Sequence, residues 1–223
     1  SAHAQQAQRT DIFTISVYSM VSEPKDTYLS DPDNQLMQRA GSGDRAAFKQ
    51  LVQKHQRTVT GIIYRYTGNH NEVEDLAQDI FLKIYKAANN YVPRAQIKTW
   101  LYKVVTNHCF NFFLSQKRRA FITSLDQSSS EEYNPHIQRT DAQKEQPELI
   151  LQQQELHTAL KSALSELPER QRMAIILHRF EGLSYKEIAT VMGSSLSSVE
   201  SLIFRAMNNL KEKLSPYKSG ETS

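Results

Sequence analysis

The chain has 223 residues, enough for one large domain or two small ones. Hydrophobic residues make up 39% and charged residues 23%, and no apolar run approaches the length that a membrane-crossing helix needs. The net charge of +3 is uninformative by itself. The single cysteine, Cys109, excludes an intrachain disulfide and points to a reducing compartment, the cytoplasm.

Residues 1–30 are polar and carry no helical period, so a flexible N-terminal tail is expected there. Phe13, Ile15 and Val17 alternate with polar residues, a weak strand signal, and no signal-peptide pattern is present. From Asp33 the pattern becomes helical. Leu36, Met37 and Ala40 form a short helix ended by Gly41-Ser42-Gly43, and Asp44 can cap the next. Phe48, Leu51, Val52, His55, Val59, Ile62, Ile63 and Tyr66 keep one apolar face until Thr67-Gly68-Asn69. Asn71 opens a third helix with Val73, Leu76, Ala77, Ile80, Phe81, Ile84, Tyr85 and Ala88 on its face, and Glu72, Glu74 and Asp75 suit the positive end of its dipole. A fourth helix is predicted from about Ile97 to Ser115, closing an all-α domain near Arg119.

Charge in that domain is uneven. No Asp or Glu occurs from Ile80 through Leu125, whereas Lys83, Lys86, Arg94, Lys98, Lys103, Lys117, Arg118 and Arg119 do. Tyr85, Tyr91, Trp100, Tyr102, Phe110, Phe112 and Phe113 are interleaved with them. Cations interspersed with aromatics suit melted or single-stranded nucleic acid, because phosphates are neutralised while unstacked bases find stacking partners. Trp100, Phe112 and Phe113 also suit a helical core.

Residues 120–147 are rich in Ser, Gln, Glu and Asp, with Pro135 and Pro147 as breakers, and read as a disordered, mildly acidic linker. After Pro147 a helix carrying Leu149, Leu156, Leu160, Leu164 and Leu167 resumes. Pro168 fits a first helical position, and Met173, Ile176, Leu177 and Phe180 line the helix that follows.

The end of the chain holds the densest local signal. Ser184 and Glu187 have capping-box spacing, Ile188, Val191 and Met192 form a short apolar face, and Gly193 suits a left-handed helix end. Ser197 and Glu200 repeat the capping spacing, followed by Val199, Leu202, Ile203, Ala206, Met207, Leu210 and Leu214 at helical intervals, with Pro216 as a stop. Two capped helices around a tight Gly turn form a helix-turn-helix, whose second helix enters the major groove by its N-terminal part. An ordinary αα-hairpin is the alternative. The DNA reading places Ser184, Ser197, Ser198, Glu200, Ser201 and Arg205 near DNA.

The stretch from about Leu36 to Leu214 resembles the extracytoplasmic-function sigma factors of the bacterial sigma-70 family. The matching words are RAGSGDRAAFKQLVQKH, DLAQDIFLKIYKA, TWLYKVVTNHCFNFFLSQKRR and LPERQRMAIILHRFEGLSYKEIATVMGSSLSSVESLIFRA, in family order and spacing. The resemblance implies an all-α protein of two small helical domains joined by a flexible linker. Residues 31–119 would be a region 2-like domain and 148–217 a region 4-like helix-turn-helix domain, with 120–147 between them and 218–223 a C-terminal tail. It implies that Gln78, Asp79 and Phe81 grip the polymerase clamp, and that Lys98, Trp100, Lys103, Asn107, Lys117, Arg118 and Arg119 serve the minus-ten element. Asn107 matches the position that helps hold a base flipped from the non-template strand, and the C-terminal helix-turn-helix matches the minus-thirty-five reader.

The implied partners are core RNA polymerase, through its clamp and flap, promoter DNA, and an anti-sigma factor. One departure stands out. Many members carry a basic-Ser-basic triplet where this chain has Glu200-Ser201-Leu202, although Arg205 is retained. The alternative function is a free-standing helix-turn-helix regulator with an N-terminal sensor domain. An enzyme has no support in the residues: there is no Gly-rich phosphate loop and no nucleophile with a base beside it. The seven His are scattered without metal spacing, so neither a metal nor a cofactor is expected.

Overall fold

The computed structural model describes residues 26–126 and 147–215, and all of the regular structure among them is helical. The N-terminal half comprises α1 (Asp26–Leu29), α2 (Pro32–Gly41), α3 (Arg45–Thr67), α4 (Asn71–Ala88) and α5 (Ile97–Asp126). The C-terminal half comprises α6 (Pro147–Ser165), α7 (Glu169–Arg179), α8 (Tyr185–Met192) and α9 (Leu196–Leu214). The weak strand signal at Phe13–Val17 and most of the expected linker, residues 127–146, lie outside the described residues.

Local chemistry explains most helix ends. Asp44 caps α3 by accepting from the Ala47 N–H, and Asp31 caps α2 by accepting from Asp33 and Asn34. Gly68 ends α3 with φ +70°, a left-handed conformation that costs glycine little because it has no Cβ. The apolar faces read from the sequence are buried: Leu51, Val59, Ile62, Ile63 and Tyr66 on α3 meet Leu76, Ile80 and Ile84 on α4, and Leu101, Val105 and Cys109 on α5.

The structure corrects three boundaries. α5 does not stop near Ser115 but continues to Asp126, because residues 116–126 contain neither Gly nor Pro, and so it crosses the expected domain edge at 119. Pro168 is the N-cap of α7 rather than its first residue. The cap of α9 is Ser195, which accepts from the Ser198 N–H; the expected box of Ser197 with Glu200 does not form, since both residues already lie inside the helix.

The two helical domains meet along a shared core. Its buried residues run from Met37 in α2 to Ala206 in α9 without a break. Arg172 on α7 is almost fully buried and donates to the carbonyl oxygens of Tyr66 (2.7 Å), Leu167 (3.0 Å) and Ser165. Its guanidinium also lies over the rings of Tyr66 and Phe113, at 5.5 and 5.8 Å from their centroids. A guanidinium can be buried at low cost only when its donors find acceptors, and three backbone carbonyls supply them.

Candidate nucleic-acid interface

The first surface is the outer side of α5. Leu101, Tyr102, Val105 and Cys109 face inward and are buried. The opposite side therefore presents Trp100, Lys103, Asn107, Asn111, Leu114 and Arg118, spaced by three or four residues so that they form one stripe, half-buried at its start and exposed toward its end. Trp100 packs edge-on against Tyr91, with ring centroids 5.5 Å apart, and its Nε1–H has no partner among the described residues. Asn107 is half-buried, and its side chain makes no hydrogen bond among the described residues. Burial lowers the pKa of the Lys103 ammonium. A flat indole, an unused amide and cations, with no carboxylate on the stripe, can stack a base, read its edge and neutralise phosphate.

Three residues expected beside this stripe lie elsewhere. Lys98 sits on the far side of the first turn, at the rim of a cleft of about 450 Å³ lined also by Asp33, Lys54 and Gln96. Lys117 faces the other domain, 2.5 Å from Glu169, with its ammonium 5.2 Å from the centroid of Phe113. Arg119 is exposed on the opposite flank and donates to Ser115 Oγ.

The second surface is on α4. Gln78 and Asp79 are exposed, and Leu82 and Tyr85 extend the same face as exposed apolar groups. Phe81 is half-buried and packs on the core, so it supports this face rather than leading it. Lys83 donates to His108 Nδ1 at 2.7 Å, and the other ring nitrogen lies 4.0 Å from Asp79. Burial, reinforced by Lys83, pushes the His108 pKa down to about 4, so the ring is neutral near pH 7 and accepts from the ammonium.

The third surface is the helix-turn-helix of α8 and α9. The Ser184 box is complete: Ser184 N–H donates to Glu187 at 2.8 Å and Glu187 N–H donates to Ser184 Oγ at 3.3 Å. That occupies Ser184, which is a cap here. Gly193 turns the chain with φ +59°. Val199, Ile203 and Ala206 bury the inner face of α9. Its outer face presents Ser197, Glu200, Ser201, Phe204, Arg205 and Asn208. Ser198 is half-buried in the first turn. Leu202 is half-buried and packs on the core, so of the two departures from the basic triplet only Glu200 faces outward. Phe204 was missed by sequence reasoning although it is 67% exposed; its position three after Ser201 and seven after Ser197 would have placed it on the outer stripe.

A seam of polar contacts joins the surfaces. Tyr102 on α5 donates to Glu181 at 3.2 Å, and Arg65 approaches the same carboxylate at 3.6 Å while lying over Phe180. Burial raises the Glu181 pKa, an effect that the Tyr102 hydroxyl and Arg65 oppose.

Comparison with known proteins accords with this arrangement. Residues 51–119 match the family model described as sigma-70 region 2, and residues 157–210 that described as sigma-70, region 4. The RNA polymerase sigma-H factor of Pseudomonas aeruginosa is 34% identical over 186 residues, covering 83% of this chain and 95% of that protein. The ECF RNA polymerase sigma-E factor of Escherichia coli is 33% identical, covering 82% and 95%. Among solved structures, CnrH in complex with the cytosolic domain of CnrY superposes with a TM-score of 0.59 at 25% identity, covering 83% of this chain and 99% of that one. The sigma factor RpoE of Bartonella quintana, in complex with the anti-sigma factor NepR, gives 0.57 at 27% identity, covering 75% and 96%.

Proposed function

The chain belongs to the extracytoplasmic-function sigma factors of the sigma-70 family, and from that premise we propose how its three surfaces divide the work of transcription initiation. It is an alternative sigma factor that binds RNA polymerase and promoter DNA. The family acts by binding, so the energy for opening DNA comes from what is captured once strands part. Among the described residues no helix is long and apolar enough to cross a membrane, and the cytoplasm is the proposed place of action.

Gln78 and Asp79, with Phe81 as support, dock the polymerase clamp. The region 2-like domain, residues 31–119, serves the minus-ten element, and the region 4-like domain, residues 148–217, the minus-thirty-five element. The α5 stripe receives the melted non-template strand: Trp100 stacks a base, Asn107 reads its edge, and Lys103 and Arg118 meet phosphate. Flipping a base costs a few kcal/mol, which a fitted surface returns. The α9 stripe enters the major groove. There Glu200 can accept from a cytosine amine, Phe204 can pack on a thymine methyl, and Arg205 reaches phosphate or guanine. Two of the solved relatives are held by a second protein, one of them named as an anti-sigma factor, which supports a protein inhibitor as a further partner of this chain.

The observation that carries this reading is the acid-free α5 stripe, on which a half-buried indole and a half-buried amide stand two helical turns apart. A free-standing regulator would have no use for it. Reconstitution with core polymerase tests the reading: the holoenzyme should open a cognate promoter, and Trp100→Ala should bind core normally yet leave the strands closed.

A further inference from the structure

The segment between α4 and α5, residues 89–96, is not helical, yet it must deliver Trp100 to the surface in a fixed orientation. Helix periodicity cannot hold such a loop. It is held by Asn34, in the first turn of α2, whose exposure is 0%. Asn34 Nδ2 donates to the Ala95 carbonyl at 3.1 Å and to that of Tyr28 at 2.7 Å, and its Oδ1 accepts from the Tyr91 hydroxyl at 2.6 Å. The Tyr91 ring in turn packs edge-on against Trp100. One buried amide thus grips the loop at both ends, and the grip reaches the indole within two contacts.

The base of this linkage is itself fixed. Asp31 caps the turn that carries Asn34, and the neighbouring Asp33 carboxylate accepts from Lys54 at 2.6 Å and from His55 Nε2 at 3.0 Å. Packing alone does not call for an amide at this place, since Met37 and Ala40 bury the rest of α2 with apolar groups. A buried polar group is costly unless bonded, and here the bonds lead to an irregular loop rather than to another helix. α2 also lies outside the span that matches sigma-70 region 2, which begins at residue 51.

We propose that Asn34 is a positioning residue for strand capture: through Ala95 and Tyr91 it holds the 89–96 loop and the ring of Trp100 in the pose that receives an unstacked base. The proposal rests on the reading of α5 as the base-capturing element. A preset pose raises affinity because the ordering cost is met before the strand arrives. Asn34 does not touch DNA.

The test uses holoenzyme reconstituted from the full chain and a non-template-strand oligonucleotide from a mapped start site. Asn34→Ala should weaken oligonucleotide binding roughly tenfold and Tyr91→Phe by a few fold, the scale of one or two lost hydrogen bonds, with core binding unchanged. Trp100 is the sole tryptophan of the chain, so in the full chain free of polymerase its fluorescence anisotropy reports the pose directly, and both variants should show a faster anisotropy decay. In a Trp100→Ala background Tyr91→Phe should have no added effect on binding, whereas a merely structural role would give additive losses. If Trp100→Ala weakens capture but folded Asn34→Ala and Tyr91→Phe bind as wild type, the inference is overturned and the base-capture reading stands. If Trp100→Ala itself binds as wild type, both fall. Should Asn34→Ala fail to fold, Tyr91→Phe decides alone, since it removes only one oxygen atom.

Discussion

Lys117, toward the end of α5, holds its ammonium 2.5 Å from the carboxylate of Glu169 in the first turn of α7. A cation expected to follow DNA phosphate is therefore bound by the other half of the chain. Glu169 also suits the N-terminal end of α7, where the helix dipole favours an anion. Glu169→Gln should release Lys117. If the freed lysine gains one phosphate contact, the slope of log affinity against log salt for promoter DNA should steepen by about 0.7–0.9. Filter binding across a salt series gives the slope, and an unchanged value would keep Lys117 off the DNA.

The same pair has a pH signature. The hydrogen bond from Lys117 holds the Glu169 pKa below its ordinary value of 4.5. A depressed carboxylate contributes stability above its unfolded pKa and loses it as pH falls through the folded value. Wild-type and Glu169→Gln proteins should thus differ in melting temperature near pH 7 and converge as pH falls below the ordinary carboxylate value and through the lowered folded one. A gap that does not narrow at all on acidification would mean that the pair contributes by packing rather than by charge.

Asn107→Ala should leave core binding and duplex docking near normal while impairing promoter opening. An unmade contact to a base edge costs about 1–3 kcal/mol when polar groups are left unpaired. Permanganate reactivity of the melted strand follows opening directly. Wild-type opening would remove Asn107 from the capture surface.

Asp79→Arg should abolish clamp binding without unfolding the protein. Its side chain is 65% exposed, its neighbour His108 is neutral near pH 7, and the reversal gives up only the solvent-screened attraction to the Lys83 ammonium. Titration against core polymerase, with circular dichroism as the fold control, separates the two effects. Undiminished binding would move the polymerase contact elsewhere on the surface.

Arg172→Ala should destabilise the whole chain by about 2–4 kcal/mol, because three carbonyls lose a charged donor in a buried setting. Denaturant unfolding measures the loss. A change below about 0.5 kcal/mol would show that water replaces the guanidinium.

What could be read beforehand follows a physical line. Gly68, Gly193, Asp44 and the Ser184 box act within a few residues of themselves, and each was visible as spacing. The cap of α9 was misplaced because Ser194, Ser195, Ser197 and Ser198 offer several candidates, and only the geometry of the turn selects Ser195. The far end of α5 was misjudged because residues 120–126 were grouped with the polar stretch that follows them, though none of them breaks a helix. The contacts of Asn34 with Ala95 and Tyr91 span 61 and 57 residues, and that of Lys117 with Glu169 joins two domains. No periodicity encodes such pairs. Phe204 stood on the helix wheel and was overlooked because aromatic residues are first expected in cores.

Cys109 lies fully inside the core, and burial pushes its thiol pKa up to about 12. The thiolate is the form that oxidants and electrophiles attack, so this sulfur is chemically silent at neutral pH. It is the one cysteine of the sequence, so no second thiol is available to pair with it within the chain. The same silence is useful at the bench: cysteines introduced together at Asn111 and Phe204 would be the two thiols that take probes, so the separation of the outer faces of α5 and α9 can be followed without first removing the native residue.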